Sequence, residues 1–414
     1  MQQVPPDFIQ ICRKLYAMVP PQTDFVFSTD MYQECSVKSM ERNRRGSGDQ
    51  IILKGDSTKR PADWKVFLAN EKNKVQFIKL LLDAWSKDSF AEKHKGRNVI
   101  LICEGKAFKL TSVDGKKTDR QELHSLSSTQ EETDSRVILY SKYGQDQGYK
   151  YIRVKSPDTD IFFILLNFAL QLDGVTVLFD TGKGNKKRLI DISDLARGLT
   201  QLFCSALLSL HAYTGCDSTS AFKGKGKVKA LKVLQQKPAF VHALAQLGDT
   251  WDVQEQVIDD LESFTCCVYG RSRFSKVDDL RHHLLKEKCG EDVISASQNV
   301  DLATLPPSRR SLKQHIRRSN YQVAIWKHGD QPMPHIPNPT EGHGWVINNG
   351  SLEPLWTEEE EELTLPQTVI DDLVNDFPGS DDEEEDDREC FLQNGLDDSL
   401  DSSSEDSDDQ DEKL

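Results

Sequence analysis

The chain has no cysteine framework. Its nine cysteines, Cys12, Cys35, Cys103, Cys204, Cys216, Cys266, Cys267, Cys289 and Cys390, form no CxxC and no repeated spacing. That argues against a zinc cluster, and an odd count points to reduced thiols in an intracellular chain. Long apolar runs are also missing. The strongest, Ile161 to Leu172, contains Asn167 and falls short of the roughly 20 residues a membrane helix needs. The opening MQQVPPDFIQICRKLYAM places Asp7 and two prolines before a short mixed segment, unlike a secretory leader. A soluble chain with no membrane partner is expected. There is no GxSxG elbow and no Cys/His pair suited to nucleophilic catalysis. GKGK at 224–227 and TGKGNKK at 181–187 both miss the GxxxxGK[ST] spacing of a P-loop.

What the chain does have is charge, unevenly placed. The formal net charge of -15 over 414 residues conceals two regions. From Asp371 to Leu414 there are 20 Asp or Glu and 2 Lys or Arg, and Glu358 to Glu362 adds five acids. Residues 1–357 then hold 42 acidic and 50 basic side chains, a basic body. The tail, with SDDEEEDD and DSSSEDSDDQDE, cannot bury enough apolar surface to fold alone. Two readings stay open for it: a solvated acidic terminus, or a polyanion that engages a basic protein or the chain's own body. Its serines, set among acids, suit phosphorylation, which deepens the charge. With 37% hydrophobic and 29% charged residues, the chain lies in the globular range and is long enough for one large domain or two medium ones.

Residues 1 to 20 read as a short helix stopped by Pro20 and Pro21. Phe25-Val26-Phe27 reads as a brief strand leading to Asp30, and SVKSMERNRR at 36–45 as a basic helix carrying Lys38 and Arg42. Asn70 to Ser86 places Val75, Ile78, Leu82 and Trp85 at helical spacing. NVILIC at 98–103 predicts a strand, and residues 105–121 a connection or hairpin. STQEETDSRVILY at 128–140 predicts a helix with an acidic first turn. A strand at 151–154, a helix at 161–171, a strand at 175–179 and a helix over 192–210 follow. This rhythm predicts an α/β fold. Helical segments continue through 240–286, and a long basic helix begins after LPPS, before a stretch rich in Pro, Gly and Trp. The expected organisation is a core at 1–235, a helical extension at 236–357 and an acidic disordered tail at 358–414. Arg317 and Arg318 are candidates to line a nucleic-acid path, whereas Trp326, sharing a face with Val323, is expected in a core.

The chemistry is read from carboxylates. Glu132 and Asp134 stand two apart at a helix start, Asp158 and Asp160 two apart past a strand end, and Asp217 in a Gly-Cys-Asp turn. Like charges converging on a crevice at strand ends are costly unless a cation joins them. Two Mg2+ or Mn2+ ions about 4 Å apart would resolve the repulsion and suit phosphodiester hydrolysis without a nucleophilic side chain. Solvated helix caps are the plainer alternative for each pair. SAFKGKGKVKALK at 220–232 sets Gly224, Lys225, Gly226, Lys227 and Lys229 in a basic glycine turn, a candidate phosphate-backbone contact.

Taken in order, VFSTDMYQECSVKSMERNRR, TQEETDSR, SPDTDIF and LHAYTGCDSTSAFKGKGKVKALKVL resemble the flap-endonuclease/XPG branch of PIN-like nucleases. Within it they resemble a group of animal proteins sharing TGCD..SAF.GKGK. The resemblance covers residues 25 to about 235. It implies a PIN-like sheet core, with Asp30, Glu132, Asp134, Asp158, Asp160 and Asp217 as ligands of two divalent ions. It implies further that Lys38 and Arg42 contact the scissile phosphate. Residues 211–235 would form a helix-hairpin-helix on the DNA backbone, with K+ at the hairpin. DNA, or RNA, is the implied partner and the nucleus the implied compartment. One departure stands out: the family opens with an earlier strand bearing a further metal aspartate, and only 24 residues precede Phe25. The expectation is a truncated chain or a site short of one ligand. Two functions therefore remain: metal-dependent phosphodiester hydrolysis on structured DNA, or a noncatalytic nucleic-acid-binding or scaffold role.

Overall fold

The computed structural model describes residues 7–33, 36–44, 48–55, 58–289 and 301–358. The chain divides between Thr368 and Val369, and the first unit is described below; residues 359–414 of the acidic tail lie outside the described residues.

The architecture is a mixed α/β fold with small sheets flanked by many helices. Helix α1 (Phe8–Ala17) is capped by Asp7, whose carboxylate accepts from the Gln10 amide. Strand β1 (Phe25–Phe27) runs parallel to β2 (Val99–Cys103), which continues antiparallel into β3 (Lys106–Thr111) and β4 (Asp119–Glu122). The 105–121 segment is thus a hairpin, and the β2–β3 turn uses Glu104 at φ 49° and Gly105 at φ 77°. Two successive positive-φ residues match the twist of the flanking strands. Between β1 and β2 lie α2 (Val37–Arg44), α3 (Trp64–Ala69), α4 (Glu71–Trp85) and α5 (Ala91–His94).

All five β2 residues are buried, because both faces of this strand are covered. Val99 and Leu101 pack with Phe77, Leu81 and Trp85 of α4. Ile100 and Ile102 pack instead with Leu139 of α6 (Thr133–Asp146). The second sheet holds β5 (Tyr151–Lys155), parallel to β6 (Thr176–Thr181), and β7 (Arg188–Asp191), antiparallel to it. Helix α7 (Thr159–Phe168) crosses from β5 to β6.

The expected helix over 192–210 is two: α8 (Ile192–Arg197) stops before Gly198, and Thr200 caps α9 (Gln201–Tyr213). Helices α10 (Lys227–Gln236), α11 (Ala239–Gln246), α12 (Glu255–Val268), α13 (Val277–Cys289) and α14 (Arg309–Lys327) follow. Helix α9 joins two cores. Cys204, Leu208 and Ala212 face the sheet side with Ile164 and Phe179, while Ala206, Leu210 and Tyr213 face the later helices. Helix α14 does the same through Leu312 and Ile316 on one core, Val323 and Trp326 on the other. A hairpin of β8 (Trp345–Asn348) and β9 (Ser351–Pro354) turns at Asn349 and Gly350, both at positive φ. Among the described residues no helix is long and apolar enough to cross a membrane.

Candidate functional site

The first-sheet strand β1, the β5–α7 junction, the start of α6 and the turn after α9 converge on one acidic pocket. Each carboxylate arrives there for a local reason. Asp30, past the end of β1, accepts from the Thr133 amide at 2.9 Å and so caps α6 from outside the helix. That leaves Glu132, the residue in the N-cap position, without a capping bond of its own and its side chain aimed elsewhere. Asp134 follows, buried in the first turn of α6. At the β5–α7 junction Asp158 caps α7 by accepting from the Asp160 amide at 2.9 Å. Asp160 in turn lies 2.7 Å from Nε2 of buried His211 on α9. Asp217 sits in the turn that closes after Gly215, at φ 108°, where an added Cβ would meet the Ala221 side chain at 2.7 Å. Only glycine tolerates both that conformation and that approach.

Into this group projects a cation. The Lys38 ammonium on α2 is 3.2 Å from Asp217 Oδ2 and 3.6 Å from Glu132 Oε2. Burial opposes its charge, but Glu132, Asp217 and Asp134 outweigh that and raise its pKa. One turn along α2, Arg42 pairs with Glu71 at 2.5 Å and with Glu131, and lies 5.0 Å over the Tyr32 ring. Spacing of four brings both cations to one side of the helix. Both cations are paired with carboxylates in this arrangement.

The electrostatics show crowding. Burial pushes Glu132 up to about 7; Lys38 pulls it down, and Asp30, Glu131 and Asp160 push it further up. Burial, then Glu132, Asp158 and Asp30, take Asp134 to about 8. Asp158 is raised as well, first by burial. The six acids expected from the sequence do share one electrostatic neighbourhood. Yet among the described residues no group of three His, Cys, Asp or Glu is arranged to hold a metal ion. Asp30 and Asp158 each give one carboxylate oxygen to a backbone amide, Asp160 faces His211, and Glu132 and Asp217 face Lys38. With the Lys38 ammonium seated between Glu132 and Asp217, the donor set does not fit the two-ion centre that the resemblance implies.

Two further residues hold the pocket in shape. His211, which its place six residues before Asp217 offers either as a support of the pocket or as a packed histidine, is both: it contacts Asp160 and stacks on Phe163, centroids 4.4 Å apart. Arg136, fully buried within α6, donates to the carbonyls of Thr29 at 2.5 Å and Glu132 at 3.2 Å, tying the β1 loop to the helix start. A cavity of about 270 Å³ adjoins Asp30 and is lined by Tyr32, Val75, Ile78 and Cys103 among others.

The basic glycine turn leads from α9 into α10. Gly224 takes φ 70°, and Gly226 is the α10 N-cap with no side-chain capping bond. Lys229 and Lys232 are exposed beside an open groove of about 400 Å³. Lys225 lies 4.7 Å over the Tyr269 ring. Lys227 turns inward and donates to the carbonyls of His211, at 2.8 Å, and Gly215 at the C-terminal end of α9. Such cations stabilise a helix terminus. The C-terminal expectation divides likewise. Trp326 is in a core, whereas Arg318 is buried and donates to Gly344 O at 3.0 Å and Leu355 O at 2.6 Å, so it cannot line a nucleic-acid path.

No family model, no curated protein and no solved structure matches the chain.

Proposed function

We propose that this chain is a nucleic-acid-binding protein on a nuclease-like, PIN-like frame, with an acidic pocket neutralised by its own lysine rather than by divalent metal. The observation that carries the reading is the Lys38 ammonium between Glu132 and Asp217. A lysine held there supplies the positive charge that crowded carboxylates demand, without a hydrolytic metal centre. Polyanion binding rests on the exposed lysines at the start of α10, on its uncapped amides and on the basic body. In this reading DNA or RNA is held through its phosphates, and a nuclear site follows from that partner.

Anisotropy titrations with labelled flap, nicked and single-stranded DNA, and with RNA, test the reading. The expected result is salt-sensitive binding that weakens in Lys225→Ala/Lys229→Ala/Lys232→Ala. Binding unaffected by that variant or by salt would sink it.

A second reading, metal-dependent phosphodiester hydrolysis, draws on one observation: Glu132 and Asp134 are pushed up to about 7 and about 8 by burial and by neighbouring acids. Perturbed acids clustered in a cleft are a mark of functional sites. Cleavage in Mg2+ or Mn2+ that disappears in Asp158→Asn/Asp160→Asn would favour it.

A further inference from the structure

Helix α2 is a weak element by itself. It spans eight residues with a strongly polar sequence, VKSMERNR, and isolated helices of this length do not persist in water. Its seat over the carboxylates therefore depends on what packs against it. Val37 is buried in a cluster with Tyr321 of α14, Trp345 of β8 and Leu352 of β9, and Met40 and Ile325 lie alongside. The β8–β9 hairpin is fixed to α14 in turn by Arg318, through the Gly344 and Leu355 carbonyls.

The same strap, residues 329–358, grips the opposite wall of the pocket. Gln130, just before α6, donates to Gly329 O at 3.2 Å and Gln331 O at 2.6 Å, and the Thr129 amide donates to Pro332 O at 3.1 Å. Lys142 of α6 pairs with Asp330 at 2.6 Å. The approach is close: a Cβ on Gly329 would lie 2.6 Å from Ser135 O in the first turn of α6. One segment thus spans from the helix that presents Glu132 and Asp134 to the helix that presents Lys38.

We infer that the C-terminal strap is the positioning element that seats Lys38 in the carboxylate pocket, and that releasing it withdraws the ammonium and opens the pocket to a divalent cation. This rests on the reading of the pocket as lysine-filled. It explains why the acids and the metal arrangement disagree: the cation position is taken by a side chain whose helix is held down from elsewhere.

The test uses the full chain and Leu352→Ala, with Val37→Ala as the matching change on the other side of the contact. Hydrogen exchange of residues 37–44 is compared with that of α6 and α14, and Mn2+ uptake is followed by loss of the free-ion electron paramagnetic resonance signal. Lys38→Met serves as the open-pocket reference. Exchange in α2 is expected to rise at least about tenfold in either variant, with α6 and α14 unchanged. Mn2+ uptake is expected to be undetectable in the wild type, present in Lys38→Met, and gained by the strap variants. Unchanged α2 exchange in both variants overturns the strap. Equal Mn2+ uptake by the wild type and Lys38→Met overturns the seating of Lys38. Failure of the wild type to bind nucleic acid overturns the functional reading alone.

Discussion

Replacing Lys38 with methionine keeps the length of the side chain and removes its charge. Removing one partner of a buried ion pair costs about 3–5 kcal/mol, because the other charge is left uncompensated. The side chains of Lys38 and Glu132 are 11% and 12% exposed, close to that regime, while Asp217 is 42% exposed and regains water. Discounting Asp217 leaves a loss of about 3 kcal/mol at high pH. The cost depends on pH. Glu132 and Asp134, raised to about 7 and about 8, bind protons in the folded state that the unfolded chain has already released above the ordinary carboxylate range. Their contribution is thus fully present at low pH and is lost as pH rises through 7 and 8. Without Lys38 the two acids hold protons still more tightly. Protonation near pH 6 therefore relieves the variant more than the wild type. Urea denaturation at pH 8.5 and pH 6 measures both stabilities: the gap is expected near 3 kcal/mol at the higher pH and below about 1 kcal/mol at the lower. A gap under about 0.5 kcal/mol at pH 8.5, or one independent of pH, would mean that Lys38 does not compensate a buried carboxylate.

Other outcomes follow from separate parts of the molecule. His315 is held down to about 4, first by burial, with Nε2 2.8 Å from Tyr213 O. The stability this gives is intact above the ordinary histidine range and is lost as pH falls from about 6.5 through 4, up to about 3 kcal/mol; His315→Gln should flatten that limb of the stability–pH curve. Gly329→Ala forces a Cβ against the Ser135 carbonyl and should cost about 1–3 kcal/mol in a denaturant melt. The lysines of the glycine turn should divide into two kinds. Lys227→Met, losing its bonds to the α9 carbonyls, should lower Tm. Lys229→Ala should leave Tm unchanged and reduce the salt slope of nucleic-acid binding by about 1.

The local elements were legible because their signals are local. The spacing of Val75, Ile78, Leu82 and Trp85 gave α4, the unbroken apolar run NVILIC gave a doubly buried strand, and the acidic first turn of α6 was visible before Thr133. Five carboxylates, Glu132, Asp134, Asp158, Asp160 and Asp217, were legible as a group from the helix-start, strand-end and turn positions they occupy, and Asp30 joined them only through the family resemblance. What occupies the space between them was not. Lys38 and Asp217 are 179 residues apart, and their pairing depends on Val37 meeting a hairpin some three hundred residues later, a contact no local pattern encodes. The inward turn of Lys227 is hidden for a related reason. A lysine in a glycine turn reads as solvent-facing unless the carbonyls ending the previous helix are known to lie beneath it. Arg318 shows the same limit, since its burial depends on two carbonyls supplied by a later hairpin.

The most direct test of the central claim is a gel that reports binding and cleavage together, run with wild type and Asp158→Asn/Asp160→Asn on labelled flap DNA in Mn2+. A salt-sensitive shift with intact substrate, the same for both proteins, is expected of a lysine-filled, noncatalytic pocket. Metal-dependent cleavage by the wild type, lost in the variant, would contradict it.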